Sequence, residues 1–304
     1  MKYRTLGKTG LKVSEIGLGC GGRIGAPDLP ESDAEKIFSQ ALDSGINFLD
    51  TGSNYQRGNS ELRMGRLLKG RRKDFILATK CGSRMMFEPG KEPSVKRDFT
   101  YDGLIKSTED SLKRLQTDYV DLLQLHTAVK EALVPGSEAI QALLEMKKRG
   151  MTRFIGTSND GERALQMISL GVFDSLQTSY NVVMQEAAAD VLPAALKAGI
   201  GVIIKEPAAN AFFLDRPKPD EDYAYQIPCW ERARNFSYLG EFSSPAPVQI
   251  ALKFVLEHPA VTTAIVATVN PKHLAENVGT SEIKALDPAL VKRLRETYSA
   301  AVGR

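Results

Sequence analysis

The sequence from residue 16 to residue 51 reads IGLGCGGRIGAPDLPESDAEKIFSQALDSGINFLDT. An apolar run opens this stretch and predicts a β-strand. After a polar stretch, apolar residues recur at the spacing of an amphipathic helix, at Ala34, Ile37, Phe38, Ala41 and Leu42. Ser32 and Glu35 predict a capping box before this helix, and Gly45 predicts its end as the C′ residue. The run INFLDT then predicts a second strand, so the segment forms one strand–helix–strand unit.

The same unit recurs along the whole chain. Further strands are predicted at residues 75–80 and 119–126 and from residues 153, 175, 201 and 262 onward. Helices are predicted at residues 61–68, 104–115, 137–149, 187–198 and 248–256, and another follows the strand from residue 153 and ends at residue 171. Eight strands joined by helical crossovers indicate an α/β fold, the closed (β/α)8 or TIM barrel. We expect a hairpin at residues 3–13 to cover the barrel floor, an extra C-terminal helix at residues 288–300 to pack outside, and residues 1–304 to form one domain.

An open doubly wound sheet is the main alternative fold. Gly17, Gly19 and Gly22 match the G-x-G-x-x-G pattern of dinucleotide-binding loops. In that fold the loop passes directly into a helix, whereas here residues 23–30 contain two prolines and another glycine. The match is therefore interpreted as accidental.

Composition excludes several functional classes. The chain carries 40 Lys and Arg against 37 Asp and Glu. The resulting net charge of +3 is too small to predict a basic surface that binds nucleic acid. Three scattered cysteines are too few for a disulfide framework or a cysteine-based zinc site, and we expect no metal. The amino terminus lacks the apolar core of a signal peptide, and no window is long enough for a membrane helix. We expect a soluble, cytoplasmic protein.

Four polar side chains follow neighbouring strands of the predicted barrel. Asp50, Lys80 and His126 end strands two, three and four, and Tyr55 lies in the loop after Asp50. Catalytic groups of such barrels lie at the carboxyl ends of strands, so we expect these four to converge. Each alone has an ordinary structural explanation, as a turn cap, packing residue or core histidine. Together, an acid, a cation, an imidazole and a phenol predict an active site.

The chain resembles the aldo-keto reductase superfamily over nearly its whole length. The motifs that carry the resemblance are NFLDTGSNY around Asp50 and Tyr55, ATK ending at Lys80, DYVDLLQLH ending at His126, GTSN at 156–159, LQTSYN from 176 and LAEN at 274–277. The resemblance implies that Asp50, Tyr55, Lys80 and His126 form the catalytic tetrad. It also implies a nicotinamide cofactor, NADP(H) with NAD(H) possible, bound across the barrel mouth.

The resemblance further implies which residues hold the cofactor. Ser158, Asn159 and Gln177 fall where the family holds the nicotinamide carboxamide. The remaining implied contacts are Lys205, Pro207, Ala208 and Asn210 after strand seven, and Thr268, Asn270, His273, Glu276 and Asn277 after strand eight.

The sequence departs from the common family pattern in three places. Lys205 stands where many relatives carry a tyrosine that stacks on the nicotinamide, and its alkyl stem is expected to cover the ring or simply to be exposed. Thr127 and Ala128 replace a Trp-Pro pair, which predicts a more open pocket wall. Positions such as Ala267 and His273 lack the usual cations for a 2′-phosphate, so binding of both cofactors, with a modest preference for NADP, is expected.

Two long connections are expected to recognise the substrate. The segment 82–100 carries Met85, Met86 and Phe87, and the segment 210–244 carries Phe212, Phe213, Tyr223, Tyr225 and Trp230. These side chains either line an adaptable apolar wall or anchor their own loops. Cys81 should point away from Lys80 along an alternating strand, which argues against a catalytic thiol.

The leading hypothesis is an NAD(P)H-dependent oxidoreductase acting on aldehydes, ketones or sugar alcohols, with Tyr55 as general acid and base. A small-molecule carbonyl or sugar is then the partner. The alternative is a cofactor-binding, redox-sensing regulatory subunit of the same fold, as the β subunits of some potassium channels are. The intact tetrad favours the enzyme.

Overall fold

Strands and helices alternate along the chain in the computed structural model, which describes residues 1–86 and 94–303 and their side chains except at positions 84–86, 95 and 221–223. The strands of these ranges are β1 Tyr3–Thr5, β2 Lys12–Ser14, β3 Ile16–Gly19, β4 Phe48–Asp50, β5 Ile76–Cys81, β6 Ser83–Met86, β7 Ser94–Arg97, β8 Val120–His126, β9 Thr152–Ser158, β10 Ser175–Ser179, β11 Gly201–Lys205 and β12 Val261–Val266. The helices are α1 Glu31–Asp43, α2 Asn59–Leu67, α3 Tyr101–Leu115, α4 Glu138–Lys148, α5 Gly161–Leu170, α6 Val191–Ala198, α7 Ile227–Ala233, α8 Pro247–Leu256, α9 Pro271–Gly279 and α10 Pro288–Ala301.

Eight parallel strands close into a barrel. Their order is β3-β4-β5-β8-β9-β10-β11-β12, and β12 pairs back with β3. This confirms the predicted (β/α)8 barrel and excludes the doubly wound alternative. The glycines at 17–22 lead into a short 3-10 turn, Gly22–Gly25, and not directly into an α-helix.

A two-stranded hairpin covers one end of the barrel, as the sequence predicts. Strands β1 and β2 pair antiparallel, and the hairpin residues Leu6, Leu11 and Val13 are buried against inward-facing side chains of the barrel. Those barrel residues are Phe48, Ala78, Leu122 and Ile203. The apolar floor leaves the opposite, carboxyl-terminal mouth for polar side chains.

The predicted capping box at Ser32 and Glu35 is wrong. Helix α1 begins at Glu31, and Pro30 occupies the N-cap position without a side-chain cap bond. The Pro30 carbonyl accepts from the backbone N–H groups of Asp33 and Ala34, so the helix starts before Ser32 can cap it. At the other end Gly45 has φ +86°, a conformation that glycine tolerates without strain, as expected for a C′ residue.

Helix α6, in contrast, begins later than predicted. Residues Glu186–Ala188 form a 3-10 turn, and the Asp190 side chain accepts from the Val191 N–H at the start of α6. An aspartate at this position satisfies a backbone donor that would otherwise have no partner, which fixes the boundary.

The two long connections contain secondary structure of their own. Strands β6 and β7 pair antiparallel beyond β5, and residues 209–241 are mostly helical, with α7 at their centre. Phe212 and Phe213 are buried in the main core, so both anchor their segment and do not line a substrate wall. Phe87 and the side chains of Met85, Met86 and Tyr223 lie outside the described part of the structure.

Among the residues that the structure describes, no helix combines the length and apolarity needed to cross a membrane.

Candidate active site at the barrel mouth

Three neighbouring strands bring the predicted polar side chains to one end of the barrel. Asp50 is the last residue of β4, Lys80 lies one residue before the end of β5, and His126 ends β8. Strand β5 pairs with β4 on one side and with β8 on the other, with Lys80 opposite Gln124. The structure therefore brings these three groups together as the sequence predicted.

A buried ion pair lies at the base of the mouth. The Lys80 ammonium lies 2.5 Å from Asp50 Oδ2 and donates also to the Thr51 carbonyl at 2.7 Å, and both side chains are at most 2% exposed. The amides of Gln124 and Gln177 donate to Asp50 Oδ1 at 3.1 and 3.0 Å. Burial is the largest single effect and lowers the pKa of Lys80, but the charge and hydrogen bond of Asp50, together with those of Tyr55, outweigh burial and raise that pKa above its usual value. The amine is therefore held protonated.

The Tyr55 ring lies over this ion pair. Its centroid is 4.7 Å from the Lys80 ammonium and 5.6 Å from the His126 ring, which meets it edge-on at 85°. Glycines flank the ring, and a Cβ at either Gly21 or Gly52 would lie 3.3 Å from a ring carbon. Any larger residue at these positions would crowd the phenol.

His126 is held as a neutral imidazole. Burial, reinforced by the charges of Lys80, Lys205 and Arg97, lowers the pKa of His126 to about 3. Its buried Nδ1 has no hydrogen-bond partner among the described residues. One nitrogen of the neutral ring carries a proton and can donate it to an oxygen in the mouth.

The depressed pKa predicts how stability depends on pH. Between the unfolded-state pKa of 6.5 and the folded-state value of about 3, the unfolded chain binds a proton at His126 that the native protein does not. Stability contributed by the neutral ring is complete above the unfolded-state pKa and falls as pH decreases, by up to about 1.4 kcal/mol per pH unit. Urea unfolding at neutral pH and at mildly acidic pH should show that the free energy of unfolding decreases less in His126→Gln than in the wild type. Identical slopes in both proteins would contradict a neutral, buried His126.

Helix α2 holds the loop that borders Tyr55. The buried Arg63 guanidinium donates to the carbonyls of Ile24 and Leu29, at 2.7 and 2.8 Å, and Asn59 donates to that of Gly25 at 2.6 Å. The loop is thereby fixed with Gly21 against the Tyr55 ring. Sequence reasoning missed Arg63, because an arginine in an amphipathic helix is usually exposed.

A cavity of about 600 Å³ opens beside Tyr55 and Asp50. It is lined by most of the residues predicted to hold a cofactor: Lys205, Pro207, Ala208, Asn210, Thr268, His273, Glu276 and Asn277. Gly19, Gly21 and Gly22 line another part of the wall. Arg216 also lines it, a cation that sequence reasoning missed because it lies in the long connection and not beside the expected phosphate-binding positions.

The remaining predicted residues, Ser158, Asn159, Gln177 and Asn270, do not line this cavity. Ser158 and Asn159 are buried, and the Asn159 amide donates to Thr157 while its oxygen has no partner in the described part of the chain. Gln177 donates to Asp50, as described above. The Asn270 side chain accepts from the Lys272 N–H as the N-cap of α9, so its capping role is structural.

Lys205 is engaged by an acidic neighbour. Its ammonium donates to Asp160 Oδ2 at 2.8 Å, and Asp160 also accepts from Thr178 and from the Ser179 N–H. Burial opposes ionisation of Asp160, but Lys205 and these hydrogen bonds prevail and lower its pKa. The ammonium of Lys205 is thus drawn toward β9, with only its stem left to face the mouth.

Cys81 is directed away from the mouth. Its Sγ contacts the Gln124 carbonyl at 3.7 Å, and burial raises the pKa of the thiol to about 12. A neutral, enclosed thiol is a poor nucleophile, in agreement with the expectation from strand alternation.

Comparisons with known proteins agree with this architecture. Residues 15–299 match the sequence model of the Aldo/keto reductase family. The chain is 31% identical to an L-galactose dehydrogenase of Arabidopsis thaliana, over 94% of this chain and 90% of that protein. It is 28% identical to YqkF, an uncharacterized oxidoreductase of Bacillus subtilis, over 97% and 96% of the two chains.

A solved structure is similar over almost the full length. The holo form of aldo-keto reductase AKR11C1 from Bacillus halodurans superimposes with a TM-score of 0.82 at 30% identity, covering 98% of this chain and 96% of that one. The chain therefore belongs to the aldo/keto reductase family, whose members are NAD(P)-dependent oxidoreductases.

Proposed function

We propose that this chain transfers a hydride between a nicotinamide cofactor and a small carbonyl compound or its alcohol, with Asp50, Tyr55, Lys80 and His126 as its catalytic residues. The observation that carries the proposal is the buried Lys80–Asp50 ion pair, whose ammonium lies 4.7 Å from the Tyr55 ring centroid. A permanent cation beside a phenol is the arrangement needed to make tyrosine a usable acid near neutral pH.

Each residue has a separate chemical task. Tyr55 gives its hydroxyl proton to the substrate oxygen as negative charge develops there, and takes the proton back in alcohol oxidation. Lys80 stabilises the phenolate that remains, and Asp50 keeps Lys80 charged and in place. His126, kept neutral by its lowered pKa, donates a hydrogen bond that orients and polarises the carbonyl oxygen.

The residues present fit a nicotinamide cofactor. The buried Asn159 oxygen without a partner can accept from a carboxamide N–H, and Arg216 supplies a cation for a phosphate. The glycines of the cavity wall allow close approach of a backbone to a ligand. Lys205, Pro207, Ala208 and Asn210 would border one side of the cofactor. Ser158, Gln177, Thr268, Asn270, His273, Glu276 and Asn277 complete the proposed set. When bound, the cofactor supplies or accepts the hydride.

Two further features support proposals about the whole chain. One hydrophobic core runs from Ile16 to Tyr298, which supports a single domain over residues 1–304. Cys20, Cys81 and Cys229 are all unpaired, which supports a reducing, cytoplasmic location. The Arabidopsis relative is named an L-galactose dehydrogenase, which supports sugar hydroxyls as a substrate class to be tested beside aldehydes.

Turnover separates the proposed enzyme from a regulatory subunit that only binds cofactor. Purified protein should consume NADPH or NADH continuously with an aldehyde such as para-nitrobenzaldehyde, or reduce NADP or NAD with a sugar alcohol. A panel of carbonyls and sugars with both cofactors measures this directly. Tight cofactor binding without turnover of any member of the panel would overturn the enzyme assignment.

The cofactor cavity predicts a modest preference between the two cofactors. Ala267, Thr268 and His273 line it where a 2′-phosphate would be expected, and none of them carries a permanent charge. We expect both NADPH and NADH to be used, with NADPH favoured less than about a thousandfold in kcat/KM, or some 4 kcal/mol. The preference should decrease as salt screens the charges.

Arg216 is expected to hold one of the cofactor phosphates. Arg216→Gln should raise the KM for NADPH about tenfold, the scale of one charge-assisted contact. The exposed Lys218, which does not line the cavity, provides the matched control as Lys218→Gln. A loss confined to NADPH assigns Arg216 to the 2′-phosphate, and an equal loss for NADH assigns it to the diphosphate. Unchanged KM for both cofactors would contradict either role.

A further inference from the structure

An arginine outside the tetrad lies at the base of the β6–β7 hairpin. Arg97 is directly opposite Ser83, which follows Lys80 by three residues. The Ser83 carbonyl accepts from the Ser53 hydroxyl at 2.8 Å, and Ser53 precedes Tyr55 by two residues. The hairpin base, and Arg97 with it, is therefore fixed at the rim of the mouth that holds Tyr55.

The hairpin register also gives the direction of the side chain. Residues directly opposite each other in an antiparallel pair project from the same face. Ser83 is only 4% exposed, so that face is the one that packs toward the barrel. Arg97 projects from this face, whereas its neighbour Lys96 projects from the other.

Arg97 differs from the two lysines at the mouth, Lys80 and Lys205, because it has no acidic partner among the described residues. Lys80 pairs with Asp50 and Lys205 pairs with Asp160. Arg97 is exposed and forms no ion pair with any acidic side chain in the described ranges. After burial and two lysines, its charge is a further cause of the lowered pKa of His126, in agreement with its place at the rim of the mouth.

The position of Arg97 separates it from the proposed cofactor phosphates. The cavity beside Tyr55 is lined from the loops after β3, β4, β11 and β12. None of the described hairpin residues lines it. An anion at Arg97 would thus belong to the substrate, and it would lie beside the hairpin that follows β5 and not in the cofactor cavity.

We propose that the substrate carries an anionic group, a carboxylate or a phosphate, that binds Arg97 while its carbonyl lies between Tyr55 and His126. This inference rests on the proposed function and adds the substrate class to it. The planar guanidinium grips either anion through two parallel hydrogen bonds. Because the anion is remote from the reacting carbon, its loss raises KM more than it lowers kcat.

Matched pairs of substrates test the proposal. para-Carboxybenzaldehyde is compared with its methyl ester, and glyceraldehyde phosphate with glyceraldehyde, so that only the anion changes and the two arms distinguish carboxylate from phosphate. In at least one pair the wild-type enzyme should favour the anion about tenfold or more in kcat/KM, the scale of one charge-assisted contact. Arg97→Gln should bring that ratio close to one, whereas Arg97→Lys should retain part of it. The control Lys96→Gln, with the same charge change on the opposite face, should leave the ratio unchanged.

A binding measurement keeps the proposal testable even without turnover. Calorimetry should show that the NADPH-bound protein binds benzoate more tightly than benzamide. If the substrate anion is a phosphate, the NADPH-bound protein should instead bind inorganic phosphate. Arg97→Gln should remove this preference for the anion. Ratios near one in both substrate pairs, or ratios that Arg97→Gln does not change, would overturn the anion site. Failure of every aldehyde, with the benzoate or phosphate preference intact, would instead count against the proposed reaction.

Discussion

Lys80→Met is expected to abolish turnover and to lower the free energy of unfolding by about 3–5 kcal/mol, the usual cost of removing one partner of a buried ion pair. The variant leaves the Asp50 carboxylate in a site that is 2% exposed, with amide donors from Gln124 and Gln177 as its remaining partners. It also removes the charge that lies beside the Tyr55 ring. Urea unfolding and steady-state kinetics measure the two effects separately.

A double variant separates stability from catalysis. Asp50→Asn combined with Lys80→Met removes both charges, and an amide at position 50 can still accept from the two glutamines. We expect the double variant to be more stable than Lys80→Met alone, because no uncompensated charge remains buried. It should stay inactive, since the phenol still has no cation. Activity that returns together with stability would show that Lys80 acts only on the fold.

Tyr55→Phe is expected to lower kcat by about 10²- to 10⁴-fold, the usual contribution of general acid catalysis. The fold should be preserved, because the substitution removes only the hydroxyl and leaves the ring packed against Gly21 and Gly52. Cofactor affinity should stay within a few-fold, since the hydroxyl acts on the substrate oxygen. The measurement is steady-state reduction of an aldehyde at saturating NADPH.

A second tyrosine provides the control for loss of a hydroxyl. Tyr3 donates to the Gly45 carbonyl at the floor of the barrel, far from the mouth. Tyr3→Phe loses one exposed hydrogen bond and should keep its kcat. A comparable loss of kcat in both variants would point to a general structural effect and away from proton transfer.

The repeat of strand and helix could be predicted from sequence because it rests on local patterns. Apolar runs such as that before Asp50 and helix ends such as Gly45 are encoded within a few residues. Strand order then follows from the closed barrel, which is why Asp50, Lys80 and His126 were expected at one mouth before the structure placed them there.

The features that sequence reasoning missed depend on contacts between distant segments. The capping box at Ser32 is the exception, because it failed for a local reason: the carbonyl of Pro30 started the helix earlier. Arg63, Arg97 and Arg216 look like ordinary surface arginines in sequence. Each gains its position only when a loop or hairpin folds over the barrel. Local periodicity does not encode such contacts between distant segments.

The proton transfer assigned to Tyr55 is tested most directly in a single turnover. Protein with NADPH already bound is mixed rapidly with a saturating aldehyde, and the loss of NADPH absorbance is followed for the wild type and for Tyr55→Phe. The predicted result is equal NADPH binding within a few-fold and a rate of NADPH loss at least about 100-fold lower in the variant. A Tyr55→Phe protein that consumes its bound NADPH at more than half the wild-type rate would contradict the account.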